Sequence, residues 1–292
     1  MDDFIQYLMT GLTIGSIYAI VALGFVTIYS VSKVINLAQG EFVMLGGIIM
    51  VTFVNVGVPY WISFIITLIV VTFFGFLLEV LIFRRVIGSD PISLIILTIG
   101  IAIFIRGIAS IIWGKDSFRL EPFTSHSPLK VFNASINFQS LWVMLIMLLV
   151  VVSLYFMMEK TIVGKSFRGT ADNPVAARLM GISPTKMTAL SFVVSGCLGG
   201  LAGIAIAPIM FPSYDVGIML GIKGFSAAIF GGLGSAPGAV LGGIIIGLVE
   251  SLGGGYISSG LKDALTFSFI LILLLIRPSG ILGEKSIEKG GL

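Results

Sequence analysis

The chain has 292 residues, of which 57% are hydrophobic and only 11% charged, with a mean hydropathy of +1.12 and a formal charge of +3. So little polar surface cannot cover a water-soluble globule, which excludes a soluble enzyme and makes the bilayer the solvent of this fold. The basic excess does not by itself point to nucleic acid, because in membrane proteins it collects in cytoplasmic loops.

The start, "MDDF", lacks the basic region of a signal peptide, so the first apolar run is expected to be kept as a membrane span. Apolar runs bounded by charge, Gly and Pro predict spans near 5–29, 37–56, 61–83, 92–113, 140–158, 188–209, 217–233, 237–254 and 261–276. These runs lack the two-residue alternation of barrel strands. The expected fold is therefore an all-α integral membrane protein, a polytopic helical bundle of eight to nine spans forming one domain over 1–292. The uncharged turn at 235–237 joins two short runs, which make either two spans or a broken or re-entrant element.

Placing the acidic N-terminus outside puts Lys33, Arg84, Arg85, Lys160, Lys165, Arg168, Arg178, Lys186, Arg277, Lys285 and Lys289 in the cytoplasm and only Lys115, Arg119, Lys130 and Lys262 outside. The positive-inside rule favours this orientation, with the C-terminus cytoplasmic. Two longer polar segments follow from it, an extracytoplasmic loop at 114–139 and a cytoplasmic loop at 159–187. The outer loop carries His126, read as a solvated histidine because no second metal ligand stands near it in sequence. Cys197 lies inside an apolar run and is read as structural; a lone cysteine supports no disulfide framework.

Several polar groups interrupt the apolar sequence. "INLAQGE" (35–41) gathers Asn36, Gln39, Gly40 and Glu41 at the start of a predicted span. A carboxylate in hydrocarbon costs about 2.5–3.5 kcal/mol on insertion scales, so Glu41 is expected to face a cavity or a partner. Alternatively, the span starts later and these residues lie in the interface. A helix broken at Gly40 would free backbone groups for the polar end of a solute. Arg106 and Glu250 fall in the outer halves of their spans, as a structural ion pair or as an outer gate, and Lys223 is expected to snorkel to the interface. Gly234, Gly238 and Gly242 recur every fourth residue, the small-residue spacing of packed membrane helices.

The inner loop contains "NPVAARLMGISPTKM" (173–187). Asn173 is suited to cap a helix whose first residue is Pro174, and Gly181 suits a left-handed stop. Val175, Ala176, Leu179 and Met180 then form an apolar side, with Arg178 pointing elsewhere. Two turns of helix do not persist alone in water, so this one needs a surface to dock on; lying on the lipid surface is the alternative. "VGKS" (163–166) fails as a phosphate loop, because Glu159 stands where the motif needs Gly and no strand precedes it.

"GKSFRGTADNPVAARLMGISPTK" (164–186) resembles the coupling loop of ABC importer permeases, in which a Glu-Ala-Ala pattern is followed, after three intervening residues, by Gly. Ala176, Ala177 and Gly181 match, and Val175 stands where Glu is common. "NLAQGEFVMLGG" (36–47), "GFSAAIFGGLGSAPGAVLGG" (224–243) and "RPSGILG" (277–283) extend the likeness along nearly the whole chain to the LivH-like permease subunits of branched-chain amino acid importers.

The resemblance implies an inner-membrane subunit that performs no covalent chemistry, has no catalytic residues and binds no cofactor or metal. It implies that ATP and Mg are used by two cytosolic ATPase subunits docked on Pro174, Ala176, Ala177, Arg178, Leu179, Met180 and Gly181. It further implies a second, homologous permease subunit, an extracytoplasmic binding protein, no nucleic acid, and Leu, Ile or Val as solutes passing Asn36, Gln39, Gly40 and Glu41. A related importer for urea, short amides or sugars is the close rival. A self-sufficient secondary transporter or channel, with Glu41, Glu250 and Arg106 as an ion route, is the rival of another class.

Overall fold

The computed structural model describes residues 2–86, 88–124, 128–131 and 134–283. His126, Lys285 and Lys289 lie outside the described residues. In chain order the elements are α1 (Asp2–Ser32), α2 (Gln39–Asn55), α3 (Tyr60–Leu78), α4 (Pro91–Trp113), a hairpin of β1 (Leu129–Val131) and β2 (Ala134–Ile136), α5 (Phe138–Lys160), α6 (Ile162–Asp172), α7 (Pro174–Leu179), α8 (Pro184–Met210), α9 (Val216–Gly231), α10 (Ala236–Tyr256) and α11 (Lys262–Ile276). α3 runs on through a π turn at Glu79–Phe83 and through Arg84–Val86. Each predicted span is a helix. Among the described residues, α1, α3, α4, α5, α8, α10 and α11 are long and apolar enough to cross a membrane, α11 together with its lead-in turn, and α2 and α9 are shorter.

Helix starts follow one local rule. Asp90 before Pro91, Asn173 before Pro174 and Ser183 before Pro184 each accept hydrogen bonds from first-turn amides, and Ser235 does the same two residues before Pro237. Proline gives up no needed N–H in a first turn, and the side-chain oxygen satisfies amides the helix leaves free.

α1 is the central post. Ile17, Tyr18, Ala19, Ile20, Val21 and Ala22 are at most 1% exposed, enclosed by α5, α8, α9 and α10. α5 and α11 lie at the rim and turn Leu148, Leu149, Phe156, Leu271, Leu275 and Ile276 outward, the pattern of surfaces solvated by lipid. Between apolar helices there is no hydrophobic drive in a bilayer, so dispersion at short range must hold the seams. Missing side chains make that range available. A Cβ on Gly247 would lie 2.3 Å from the Gly15 amide nitrogen, and one on Gly203 would lie 2.1 Å from the Val43 carbonyl oxygen. These contacts bring α10 onto α1 and α8 onto α2.

Gly238 and Gly242 form the matching seam with α9, since a Cβ on the first would lie 2.2 Å from the Gly231 oxygen and one on the second 2.3 Å from that of Ala227. Gly234 does not belong to this stripe. It sits in the turn before α10 at φ +99°, and a Cβ there would meet nothing within 4 Å, so it supplies a left-handed backbone and no packing.

The two short helices are short for a shared reason. α1 ends at Lys33, which takes the left-handed conformation (φ +57°), and the chain turns back into the protein over Val34–Ala38, where Val34, Asn36 and Ala38 are buried. The Thr98 hydroxyl, about 10 Å into α4, lies 3.5 Å from the Ile35 carbonyl oxygen. On the other side α8 ends at Phe211, also left-handed (φ +45°), and the next residue, Pro212, packs on Gly47, about 12 Å below the end of α2. Of the two helices flanking 235–237, therefore, α10 is full length, and α9 is shortened at its far end.

Candidate functional site

The two inward-turning connectors bring the first turns of α2 and α9 together inside the bundle. Gly40 and Gly217, each the second residue of its helix, touch through their backbones: a Cβ on Gly217 would lie 2.6 Å from the Gly40 oxygen. Gly221 packs on Gly40 one turn further along. With their first turns in contact, the two helices bring both positive dipole ends to one buried spot.

Polar side chains crowd the same place. Gln39 sits about 16 Å along α8, where its amide nitrogen donates to the Ser195 carbonyl (3.1 Å). The Ser195 hydroxyl lies 2.5 Å from the other end of that amide and 3.0 Å from the Gly24 carbonyl, tying α1, α2 and α8 together. Asn36 caps the turn through its Oδ1, which accepts from the Ala38 amide (3.2 Å), while its Nδ2 is buried without a partner. Glu41, 2% exposed, receives the Arg106 guanidinium at 3.0 Å through Oε1. Its Oε2 and the Arg106 Nε are buried and unpartnered. The helix is not broken at Gly40, as the sequence reading allowed; it begins one residue earlier, at Gln39, and Asn36, Gln39, Gly40 and Glu41 are buried within the protein.

Arg106 and Glu250 are not partners of each other. Glu250 accepts from Lys223 Nζ at 2.7 Å and from the Tyr18 hydroxyl at 2.8 Å, and Lys223 also lies 2.7 Å from Asp263. Lys223 therefore does not snorkel to the interface: it is 5% exposed and held by two carboxylates from α10 and α11. Helical spacing within one segment carries no sign of these pairings, because each joins residues of different helices. Ser195 was likewise invisible, one serine in a Gly-rich run.

On the side where α5 ends and α8 begins, the 159–187 segment contains a helix that sequence reading missed. α6 buries Gly164, Phe167 and Thr170, and "VGKS" lies within it as ordinary helix. The three-residue spacing of Gly164, Phe167 and Thr170 was the available signal, with Val163 on the exposed side. α7 follows as anticipated: the Asn173 Oδ1 accepts from the Val175 and Ala176 amides at 3.0 Å each. Gly181 is left-handed (φ +80°), and the Gly181 and Ile182 amides return to the Arg178 and Ala177 carbonyls. Val175, Ala176, Leu179 and Met180 point away from the protein, Leu179 being 85% exposed, and Ile162 is exposed nearby. Ala177 departs from the expected docking set. It is 4% exposed and packs inward, so it anchors α7 to its own chain.

Beside the end of α6 lies a cavity of about 650 Å³ between Tyr29, Lys33, Arg168, Asp172, Leu233 and Pro237, polar and apolar in similar measure. Its walls come from the end of α1, the end of α6, the turn before α10 and the segment after α11. At the α2–α9 meeting point, by contrast, the free space beside Val43, Gly47 and Val216 is about 10 Å³, room for a single water. The helices are therefore in close contact where α2 and α9 meet. Among the described residues no group of three or more His, Cys, Asp or Glu side chains gathers as a metal site.

Residues 7–276 match the family described as branched-chain amino acid transport system / permease component. The chain belongs to this family. The permease is 30% identical to the high-affinity branched-chain amino acid transport system permease protein LivH of Escherichia coli (strain K12) over 98% of this chain and 97% of the relative. It is also 30% identical to the corresponding protein BraD of Pseudomonas aeruginosa, over 98% of both chains. The autoinducer 2 import system permease protein LsrC of Escherichia coli O9:H4 is more distant, at 25% identity over 77% of this chain and 66% of its own. The permease is thus a multi-pass membrane transport subunit.

Proposed function

We propose that the permease carries leucine, isoleucine or valine across the cell membrane by alternating access, powered by ATP hydrolysis in separate subunits. The observation that carries this reading is α7: a two-turn helix fixed at both ends, anchored by Ala177, and turning Val175, Leu179 and Met180 into solvent. Such a face needs a protein to cover it, and a rigid elbow passes a partner's movement directly to α8. Ile162 and the α6 start extend the surface. The partners are two cytosolic ATPases that bind ATP and Mg, an extracytoplasmic binding protein that delivers the solute, and a second, homologous permease subunit across the membrane-embedded face. This chain itself binds no nucleotide, cofactor or metal.

The charge distribution supports placing α7 in the cytoplasm and the N-terminus outside. The 159–187 segment is then the coupling loop, the 114–139 segment is extracytoplasmic, and the cavity beside Lys33 and Arg168 is the inner vestibule. Gln39, Asn36, Gly40 and Glu41 line the closed centre of the path. The names LivH and BraD, at full-length similarity, favour branched-chain amino acids over the sugar, amide or urea alternatives. Uptake of labelled leucine into proteoliposomes holding the permease with its ATPases, homologous permease and binding protein tests the reading. Uptake that requires ATP and every partner agrees with it; uptake by this chain alone would replace it with a self-sufficient transporter.

A further inference from the structure

The Glu41–Arg106 pair is incomplete in a specific way. Glu41 gives one oxygen to Arg106 and keeps Oε2 buried and unpartnered; Arg106 gives Nη2 to Glu41 and keeps Nε buried and unpartnered. A pair that served packing alone would be expected to use both oxygens and both nitrogens in a fork, the arrangement arginine and carboxylate favour. The free carboxylate oxygen lies where α9 begins, 3.1 Å from the position a Cβ would take on Gly217. The glycine leaves that oxygen its room. Unmet polar atoms on a buried anion and on its cation, side by side at the junction of two helix starts, amount to one acceptor site and one donor site.

We infer that Glu41 and Arg106 form a clasp for the zwitterionic end of an α-amino acid, which enters between them and replaces each as the other's counter-ion. The inference rests on the reading of the permease as an amino acid carrier. The ammonium group takes the Glu41 carboxylate, and the carboxylate group takes the Arg106 guanidinium, helped by the first-turn dipoles of α2 and α9. No net charge is introduced, because the neutral ion pair exchanges internal partners for the two charges of a neutral solute. The aliphatic side chain is left toward the apolar walls of α2 and α8 beside Val43, Ile206 and Ala207, and those helices must part to admit it, because the closed space there holds about one water. With the solute absent the pair closes on itself, which seals the centre. A sugar, an amide or urea offers no opposite charges and cannot open the pair by exchange.

The test uses the complete importer in proteoliposomes, with leucine-loaded binding protein at saturation, and reads turnover per assembled complex alongside thermal stability. Glu41→Gln should assemble and lower turnover about tenfold or more, the scale of one charge-assisted hydrogen bond. Arg106→Lys, which keeps the cation but removes the planar fork, should also lower turnover with assembly retained. Wild-type turnover per assembled complex in Glu41→Gln, with only its melting temperature reduced, would show a structural pair and overturn the clasp. If Glu41→Gln does not assemble, Arg106→Lys decides, and unchanged turnover overturns it. A wild-type importer that moves no leucine overturns the amino acid reading itself and the clasp with it.

Discussion

Lys223 and Glu250 face each other across the seam of α9 and α10 at 2.7 Å, with 6% and 4% of their side chains exposed. The Tyr18 hydroxyl and the Asp263 carboxylate complete the cluster, so four helices meet on one ammonium group and its counter-ions. Charges this deep persist only when paired, and leaving one partner alone is the costly case. Lys223→Met is expected to destabilise the fold by about 3 kcal/mol, because it leaves buried Glu250 with only the Tyr18 hydroxyl and the more distant, half-exposed Lys262 (3.9 Å) as partners. The double variant Lys223→Met with Glu250→Met should recover much of that loss. Thermal unfolding in detergent measures both, and a double variant no more stable than the single one refutes the pairing as the source.

Leu179→Asp should separate folding from coupling. Leu179 is 85% exposed, so its replacement changes stability by less than about 0.5 kcal/mol. It places a charge in the middle of the apolar face of α7, and co-purification of the cognate ATPase should be lost. Normal ATPase retention by a correctly folded Leu179→Asp permease would remove α7 from the docking surface.

The glycines divide into those that set helix spacing and those that do not. Gly247→Leu drives a side chain into the backbone of Gly15 and Gly11 and should cost about 1–3 kcal/mol or more, seen as loss of monodisperse protein. Gly100→Leu, on α4, meets nothing within 4 Å and should purify like the wild type. Equal tolerance of both changes would show that the α1–α10 seam is not set by close backbone contact.

Sidedness is open to a direct check. In a Cys197→Ser background, a cysteine at Ser117 should react with an impermeant maleimide added outside intact cells, and one at Lys165 only after permeabilisation. Both positions are exposed. The reverse pattern would invert the permease and move α7 away from any cytosolic ATPase.

Much of this architecture was legible from residues alone, because the signals are local. Long apolar runs define helices, since a backbone in lipid must satisfy its own hydrogen bonds. Asn173, Pro174 and Gly181 delimit α7 by cap chemistry within a single turn, and the concentration of Asn36, Gln39 and Glu41 announced an interior polar spot. The pairing of those groups was decided only in three dimensions. Arg106 joins Glu41, Lys223 joins Glu250 and Gln39 joins Ser195, each across helices whose rotation and depth depend on the whole bundle. The depth of α2 and α9 is of the same kind: the short run at 217–233 was visible, whereas 37–56 read as a full span, and it took the course of 34–38 and 211–215 to set both starts against one another. Sequence periodicity specifies which face of a helix is apolar; steric fit at glycine contacts and the need to match every buried charge specify which helix it meets and at what height.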